Sequence, residues 1–282
     1  MAMMKRVLAP AKINLCLHVA GRREDGYHDL ATLMQRVDVQ DRLEITVSSG
    51  AAITACCTQL TLPPGVENVA VRAARLFLSY IKEECSVAVR IDKKIPAAAG
   101  MGGGSSNAAS VLLALNDMLG ANLSQSELIS IGVKVGADVP FFLYDQSAAW
   151  ATGVGERLQP WPGLPPVTFV LVNPGIEVST AWVFKTLGLT CSRPIAKIPR
   201  FPVRTSGLVC LLHNDLEVVT CQRHPVITTI KERLLAGGAA GALMSGSGPT
   251  VFGVFDDQDQ AEKVAKVLST ETDWWVQVVN PL

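Results

Sequence analysis

Neither sign of charge is in excess: 25 Lys and Arg residues face 25 Asp and Glu, and the formal charge is zero. A nucleic-acid binder usually carries a basic surplus, so no nucleic-acid partner is expected. Long hydrophobic runs are missing too, and none approaches the ~20 residues needed to span a bilayer. The first residues place Lys5 and Arg6 before an apolar stretch, but Pro10, Lys12 and Asn14 interrupt it. No secretory h-region results, and a cytoplasmic chain without a membrane partner is expected. The cysteines (Cys16, Cys56, Cys57, Cys85, Cys191, Cys210, Cys221) are odd in number, scattered, and contain no C-x-x-C pair. That pattern fits neither a disulfide framework nor a zinc site. His18, His28, His213 and His224 show no metal-ligand spacing. Repeats of 20–50 residues are absent.

What is present is a chain built to fold. It has 282 residues, 49% apolar and 18% charged, which excludes a disordered composition. A chain of this size buries about 73% of its surface, enough for two domains or one large one. Val7 to Val19 reads as extended, and Leu43 to Val47 alternates as a strand. Asn68 is placed to cap a helix over the apolar-periodic residues that follow. Val87, Val89 and Ile91 mark another strand, ending at Ile95-Pro96. Ala108, Val111, Leu112, Leu115 and Leu119 follow helical spacing, with Gly120 at C′. Ser124 and Glu127 form a capping-box pattern for a helix stopping near Gly136. Pro160 to Pro166 is a linker candidate. Beyond it come a buried strand over Val167–Val172, a short helix capped by Ser179, and a helix from His224-Pro225 to Leu235. Strand-like residues then flank a Gly-rich turn between Ala242 and Phe255, before a helix over Gln260–Leu268 and a strand over Trp274–Val279. Strands and helices alternate in both halves, which implies two layered α+β domains.

The strongest chemical signal is Gly100-Met101-Gly102-Gly103-Gly104-Ser105-Ser106, between a strand and a helix. Small residues let backbone N–H groups approach an anion, and the helix start adds its positive dipole end. The alternative is a flexible connection, but three consecutive glycines carry an entropic cost. Their place at a helix start favours a ligand. The loop is not a Walker A motif, since no Gly-Lys-Ser/Thr follows. Nor is it a dinucleotide fingerprint, because G-x-G-x-x-G with a later acid is missing. A phosphate-binding lysine must therefore come from elsewhere. Lys12, inside Pro10-Ala11-Lys12-Ile13-Asn14-Leu15, either meets an anion or lies on an exposed strand face. Asp138, amid Gly136-Ala137-Asp138-Val139-Pro140-Phe141-Phe142, either serves a hydroxyl substrate or a cation, or makes an Asx turn before Pro140. Ser245-Gly246-Ser247-Gly248-Pro249-Thr250 fits a hairpin turn nearly as well as a ligand loop.

Together, PAKINLCLHV, IPAAAGMGGGSSNAAS and MSGSGPTVFGVF resemble the three motifs of the GHMP kinase superfamily, in the family's order and over nearly the whole chain. Gly21-Arg22-Arg23-Glu24-Asp25-Gly26-Tyr27-His28, the Gly136–Phe142 segment and Asn214-Asp215-Leu216-Glu217 narrow the likeness. They are similar to the branch that phosphorylates a cytidine diphosphate-linked methylerythritol on the non-mevalonate route to isoprenoid precursors. The resemblance implies an α+β two-domain fold, a ribosomal-protein-S5-type domain over 1–162 and a ferredoxin-like domain over 163–282, with the active site in the cleft between them. It implies transfer of the γ-phosphoryl of ATP, with Mg²⁺, onto a tertiary 2-hydroxyl, and no permanently bound cofactor.

By the same resemblance Asp138 matches the catalytic base and Lys12 its partner. Pro96, Ala97, Ala98, Ala99, Gly100, Met101, Gly102, Gly103, Gly104, Ser105 and Ser106 match the triphosphate loop, and Asn68 and Lys93 the adenine side. Tyr27 and Phe184 match two aromatics around the cytosine, His28 the group on its edge, and Asn14 and Thr180 the methylerythritol diphosphate region. Phe184 and Thr180 rest on the short match VSTAWVF, which also reads as a capped amphipathic helix. Met101 stands where the family usually has Leu, and Ala97-Ala98-Ala99 is less Gly-rich than in some members. The magnesium-binding glutamate of some members has no counterpart, which leaves no metal ligand assigned; Ser106 is a candidate. A monomer or weak homodimer is expected. Two other readings stay open: a homoserine or mevalonate kinase, and a non-catalytic ATP-binding sensor.

Overall fold

The computed structural model describes residues 2–24, 26–58, 67–188 and 196–282. Asp25 and Cys191 lie outside the described residues. The elements run β1 (Met3–Arg22), β2 (His28–Ser48), β3 (Ile53–Cys57), α1 (Val69–Ile81), β4 (Ser86–Asp92), α2 (Gly103–Met118), α3 (Gln125–Val135), α4 (Val139–Leu143), β5 (Ala148–Gly153) and β6 (Arg157–Pro160). They continue with β7 (Thr168–Asn173), α5 (Thr180–Leu187), α6 (Thr205–Val209), β8 (His213–Asn214), α7 (Glu217–Arg223), α8 (Val226–Ala236), β9 (Gly241–Met244), β10 (Val251–Phe255), α9 (Gln258–Glu271) and β11 (Trp275–Val279). The alternation is α+β throughout, and no described helix is long and apolar enough to cross a membrane.

Contacts divide the chain into two compact units that interleave in sequence. The first holds residues 1–11, 39–97 and 102–145; the second holds 12–38, 98–101 and 146–282. The expected boundary between 162 and 163 falls inside the second unit, which contains both β6 and β7. The long strands β1 and β2 each contribute residues to both units.

In the first unit β4 pairs antiparallel with Arg42–Ser48 of β2 and parallel with β3. Helix α1 packs on β3, β4, α2 and α3, and α2 packs on α3 and α4. Phe77, Val111, Leu112, Leu115 and Phe141 are fully buried there. The local signals explain the helix ends. The Asn68 side chain accepts from the Ala70 N–H, as a capping Asn should. Ser124 and Glu127 complete the capping box of α3, which closes at Gly136. Gly120 takes φ +59° just beyond α2, the left-handed conformation its position called for.

In the second unit Leu30–Gln35 of β2 pair with β5, and β5 pairs with β6. A second sheet has the order β11-β7-β10-β9, all antiparallel. Helices α8 and α9 lie on it. Val170, Val172, Ile227, Ile230, Leu234, Val251 and Phe255 form the centre of this core. The buried run read from Val167 becomes β7, with all six residues buried, as expected of a strand covered on both faces. The Gly-rich segment after Met244 is the hairpin turn between β9 and β10, where Met244 pairs with Val251. In β1 both faces are buried over its middle, so Lys12 sits inside the protein at 3% exposure rather than on an open strand face.

Candidate active site

In the second unit the three motifs meet. The Lys12 ammonium donates to Asn14 Oδ1 at 2.5 Å. Asn14 Nδ2 donates to Thr32 Oγ1 (2.8 Å), and Thr32 in turn donates to the Cys16 carbonyl (2.7 Å). The Asn14 backbone N–H donates to Ser245 Oγ (3.1 Å), and Ser245 Oγ donates to the Gly100 carbonyl (2.9 Å). The Lys12 N–H donates to the Met101 carbonyl (3.0 Å), and the Thr250 N–H to the Ala99 carbonyl (3.3 Å). So the β1 segment, the loop residues 98–101 and the β9–β10 turn hold one another through direct hydrogen bonds. Thr180, at the start of α5, shares a hydrogen bond between its hydroxyl and that of Ser247 (2.8 Å), which ties α5 to the same turn. Buried polar side chains at this density are stabilising only when all are satisfied, and this chain of bonds satisfies them.

Close backbone approach explains the glycines. A Cβ on Gly100 would lie 2.1 Å from the Ser245 carbonyl oxygen, and one on Gly246 would lie 3.2 Å from Asn14 Oδ1. Ala98 adopts φ +48° without being glycine, an uncommon conformation for an L side chain.

The proposed cytosine residues also belong to this unit. Phe184 stacks on His28, with ring centroids 4.9 Å apart and planes at 25°. Tyr27 is 61% exposed. Burial, and then the charge of Arg22, push the His28 pKa down from its ordinary value. Both favour the neutral ring, which carries one donor and one acceptor nitrogen.

The first unit holds the other matched positions. Gly103 and Gly104 open α2, and Gly102 precedes them with φ +67°. A Cβ on Gly104 would lie 3.4 Å from Val69 Cγ2, so the starts of α1 and α2 are adjacent. Two helix N-termini side by side offer unpaired N–H groups to one anion. Lys93 Nζ approaches the same start, 3.1 Å from where a Gly103 Cβ would be. It is fixed there by Asp41, which accepts from Lys93 Nζ at 2.5 Å and from the Lys94 and Ile95 N–H groups at 2.8 and 2.9 Å. Pro96 and Ala97 continue directly from this bonded stretch. Ser105 Oγ lies 3.8 Å from where a Gly136 Cβ would be, so Gly136, two residues before Asp138, adjoins the α2 start. Asp138 occupies the N-cap position of α4 and makes no side-chain capping bond there. The Ser106 hydroxyl is buried without a hydrogen-bond partner among the described residues.

Two participants were not singled out by sequence reasoning: Thr32 and Asp41. Asp41 is fully buried, and its signal was a lone acid ahead of the alternating strand Leu43–Val47. Asp41→Asn is expected to cost about 3 kcal/mol of unfolding free energy, near the low end for removing one partner of a buried pair, because Lys93 keeps some solvent access. Urea unfolding beside Lys93→Met separates loss of the pair from loss of either charge alone. Sequence spacing also could not show which histidines meet in space. His18 and His213, far apart in sequence, stack with centroids 4.3 Å apart beside Asp215; β1 and β8 pair in parallel and place them together.

The comparisons agree with this geometry. The GHMP kinases N terminal domain family matches residues 68–146, and the GHMP kinases C terminal family matches residues 208–272. The fold, with its interlocked motifs, is that of a GHMP kinase. The 4-diphosphocytidyl-2-C-methyl-D-erythritol kinase of Syntrophotalea carbinolica is 55% identical over 99% of both chains. A crystal structure of 4-(cytidine 5'-diphospho)-2C-methyl-D-erythritol kinase superposes with a TM-score of 0.78 at 39% identity, covering 98% of this chain and 99% of that one. The homoserine kinase from Cytophaga hutchinsonii shares the fold alone, with a TM-score of 0.73 at 18% identity over 99% and 95% of the two chains. The chain belongs to the 4-diphosphocytidyl-2-C-methyl-D-erythritol kinase family.

Proposed function

We infer that this chain transfers the γ-phosphoryl group of ATP to the 2-hydroxyl of 4-diphosphocytidyl-2-C-methyl-D-erythritol, a step of the non-mevalonate route to isoprenoid precursors. The observation that carries it is the hydrogen-bonded junction of Lys12–Asn14, residues 98–101 and the Ser245–Thr250 turn, in a chain 55% identical along its length to such a kinase.

In the proposed reaction the bond between the γ-phosphorus and the β–γ bridging oxygen breaks, and a bond forms from that phosphorus to the substrate oxygen. Asp138 takes the hydroxyl proton, and ADP leaves with the bridging electron pair. Transfer of this kind depends on positioning and on stabilising spread negative charge. Lys12 supplies a cation whose direction is set by Asn14, and Asn14 is set by Thr32 and Ser245. Residues 96–106 give backbone N–H groups to the triphosphate, and Lys93 and Asn68 line the nucleoside side. The Ser106 hydroxyl at the α2 start, without a hydrogen-bond partner among the described residues, would hold the magnesium that accompanies ATP, which would supply neutralisation of phosphate charge. Tyr27 and Phe184 enclose the cytosine, His28 meets its edge, and Asn14 and Thr180 hold the diphosphate-bearing polyol.

Product formation from ATP and each of three alcohols tests the reading: the cytidylylated methylerythritol, homoserine and mevalonate. Phosphorylation of the first alone supports it, and preference for either of the others sinks it. Tyr27→Ala is expected to raise the alcohol KM by about 5- to 150-fold, the equivalent of the 1–3 kcal/mol that stacking on one base contributes, with the ATP KM unchanged. An unaltered alcohol KM would remove Tyr27 from the cytosine site.

A further inference from the structure

Outside the phosphoryl-transfer residues, one cluster has the composition of a metal centre. His18 on β1, His213 on β8 and Asp215 just after it present three donor atoms, all within 4.8 Å of one another. We propose that His18, His213 and Asp215 form a binding site for one divalent transition ion of the zinc type, distinct from the magnesium that accompanies ATP and independent of the kinase reading.

The backbone preorganises the cluster. β8 pairs in parallel with β1 at Cys16↔His213 and Leu17↔Asn214, and the Asp215 N–H donates to the Leu17 carbonyl at 3.0 Å. The Asp215 carboxylate is aimed by its second oxygen, which accepts the Val19 N–H at 2.8 Å. Its first oxygen lies 2.8 Å from His213 Nε2. That is a hydrogen-bond distance, shorter than the roughly 3.4 Å between neighbouring ligand atoms on a tetrahedral ion with bonds of about 2.1 Å, so the pair opens by about half an ångström when an ion enters. Anchored carboxylates of this sort hold ligand sets in shape.

Two imidazoles and one carboxylate select borderline ions such as Zn²⁺, Co²⁺ or Ni²⁺ over Mg²⁺ or Ca²⁺, which prefer all-oxygen shells. Three protein ligands leave a remaining position for water or a small anion. The two rings now stack with planes at 18°, so their lone pairs do not share a point. Coordination therefore turns the His213 ring out of the stack. That side chain is 47% exposed, and the turn carries it toward solvent rather than into the core. The ion would then cross-link β1 to β8, a pairing of only two residues, and stabilise the fold by mass action.

Untagged, EDTA-treated full-length protein titrated calorimetrically with Zn²⁺ is expected to bind one equivalent and to unfold at a higher temperature with zinc than without. His213→Ala and His18→Gln should each weaken binding by more than about 30-fold, since even outer-shell partners are worth 10- to 100-fold. His224→Ala should bind as wild type does. Cobalt in place of zinc should give visible bands of a nitrogen–oxygen site, lost in His213→Ala. Failure of wild-type protein to take up zinc overturns the proposal, as does binding unchanged in either histidine variant. Thiolate-to-cobalt absorption overturns it too, by placing the ion on cysteines.

Discussion

Replacing Asp138 by Asn is expected to lower kcat by about 10²- to 10⁴-fold, the usual worth of a positioned proton acceptor, or about 3–5 kcal/mol of barrier. The ATP KM should stay near wild type, because in the proposed reaction Asp138 meets the acceptor hydroxyl and not the nucleotide. Val139 to Leu143 behind Asp138 are all buried through their own apolar side chains. The exchange is isosteric, and thermal unfolding of the variant separates a loss of turnover from a loss of stability. Lys12→Met is expected to fall in the same range of kcat. The double variant should cost little more than the worse single one, since residues acting in one step are not additive. Turnover by Asp138→Asn close to wild type rejects it as the base. Additive losses in the double variant would separate the two residues into different tasks.

How much of this was readable before folding depends on whether the signal is local. Helix ends were: Asn68, Ser124 and Ser179 each cap the helix their spacing indicated, because an N-cap is a bond to an N–H two or three residues away. The buried run before Asn173 was legible as a strand for a similar reason. Strands β3, β5, β6 and the two-residue β8 were not, since their pairing partners are set by tertiary contact and their own sequences carry little alternation. β1 runs through Pro10, inside the Val7–Val19 stretch read as extended; a proline is tolerated there because the strand has its sheet neighbour on one side only, beyond the β8 pairing. At the site, residue types in Lys12 and the glycine loop pointed to phosphate chemistry, and Asn14 came only from the resemblance. The resemblance supplied their order. Neither could show that the Ser245–Thr250 turn is the third side of the junction, because Ser245 meets Asn14 at a separation of 231 residues. Asp41 was invisible likewise: its worth lies in three donors from the stretch Lys93–Ile95.

The junction also makes Gly100 a sensitive position to probe. Gly100→Ala is expected to lose about 2–5 kcal/mol of stability and about 10²-fold in kcat. Two costs combine. At φ +75° an L side chain pays roughly 1–2 kcal/mol. The new methyl would also sit 2.1 Å from the Ser245 carbonyl oxygen and 3.2 Å from both the Gly248 N and O, and forced overpacking of this kind adds about 1–3 kcal/mol or more. All three obstacles are backbone, so no rotamer relieves them, and either the loop or the β9–β10 turn must move by about an ångström. Ser245 bridges Gly100 to Asn14, and Asn14 holds the Lys12 ammonium, so the displacement reaches the charge that the proposed reaction aims at the transferred phosphoryl group. A shift of that size at a positioned group costs on the order of 10²-fold. Gly120→Ala is the matched comparison: φ is +59° and nothing lies within 4 Å of the added Cβ, so it carries the conformational cost of about 1–2 kcal/mol alone and leaves kcat unchanged. Urea denaturation and steady-state kinetics on the two variants separate crowding from backbone strain. Equal losses in both would mean that the contact between residue 100 and the turn at 245–248 does not position Lys12.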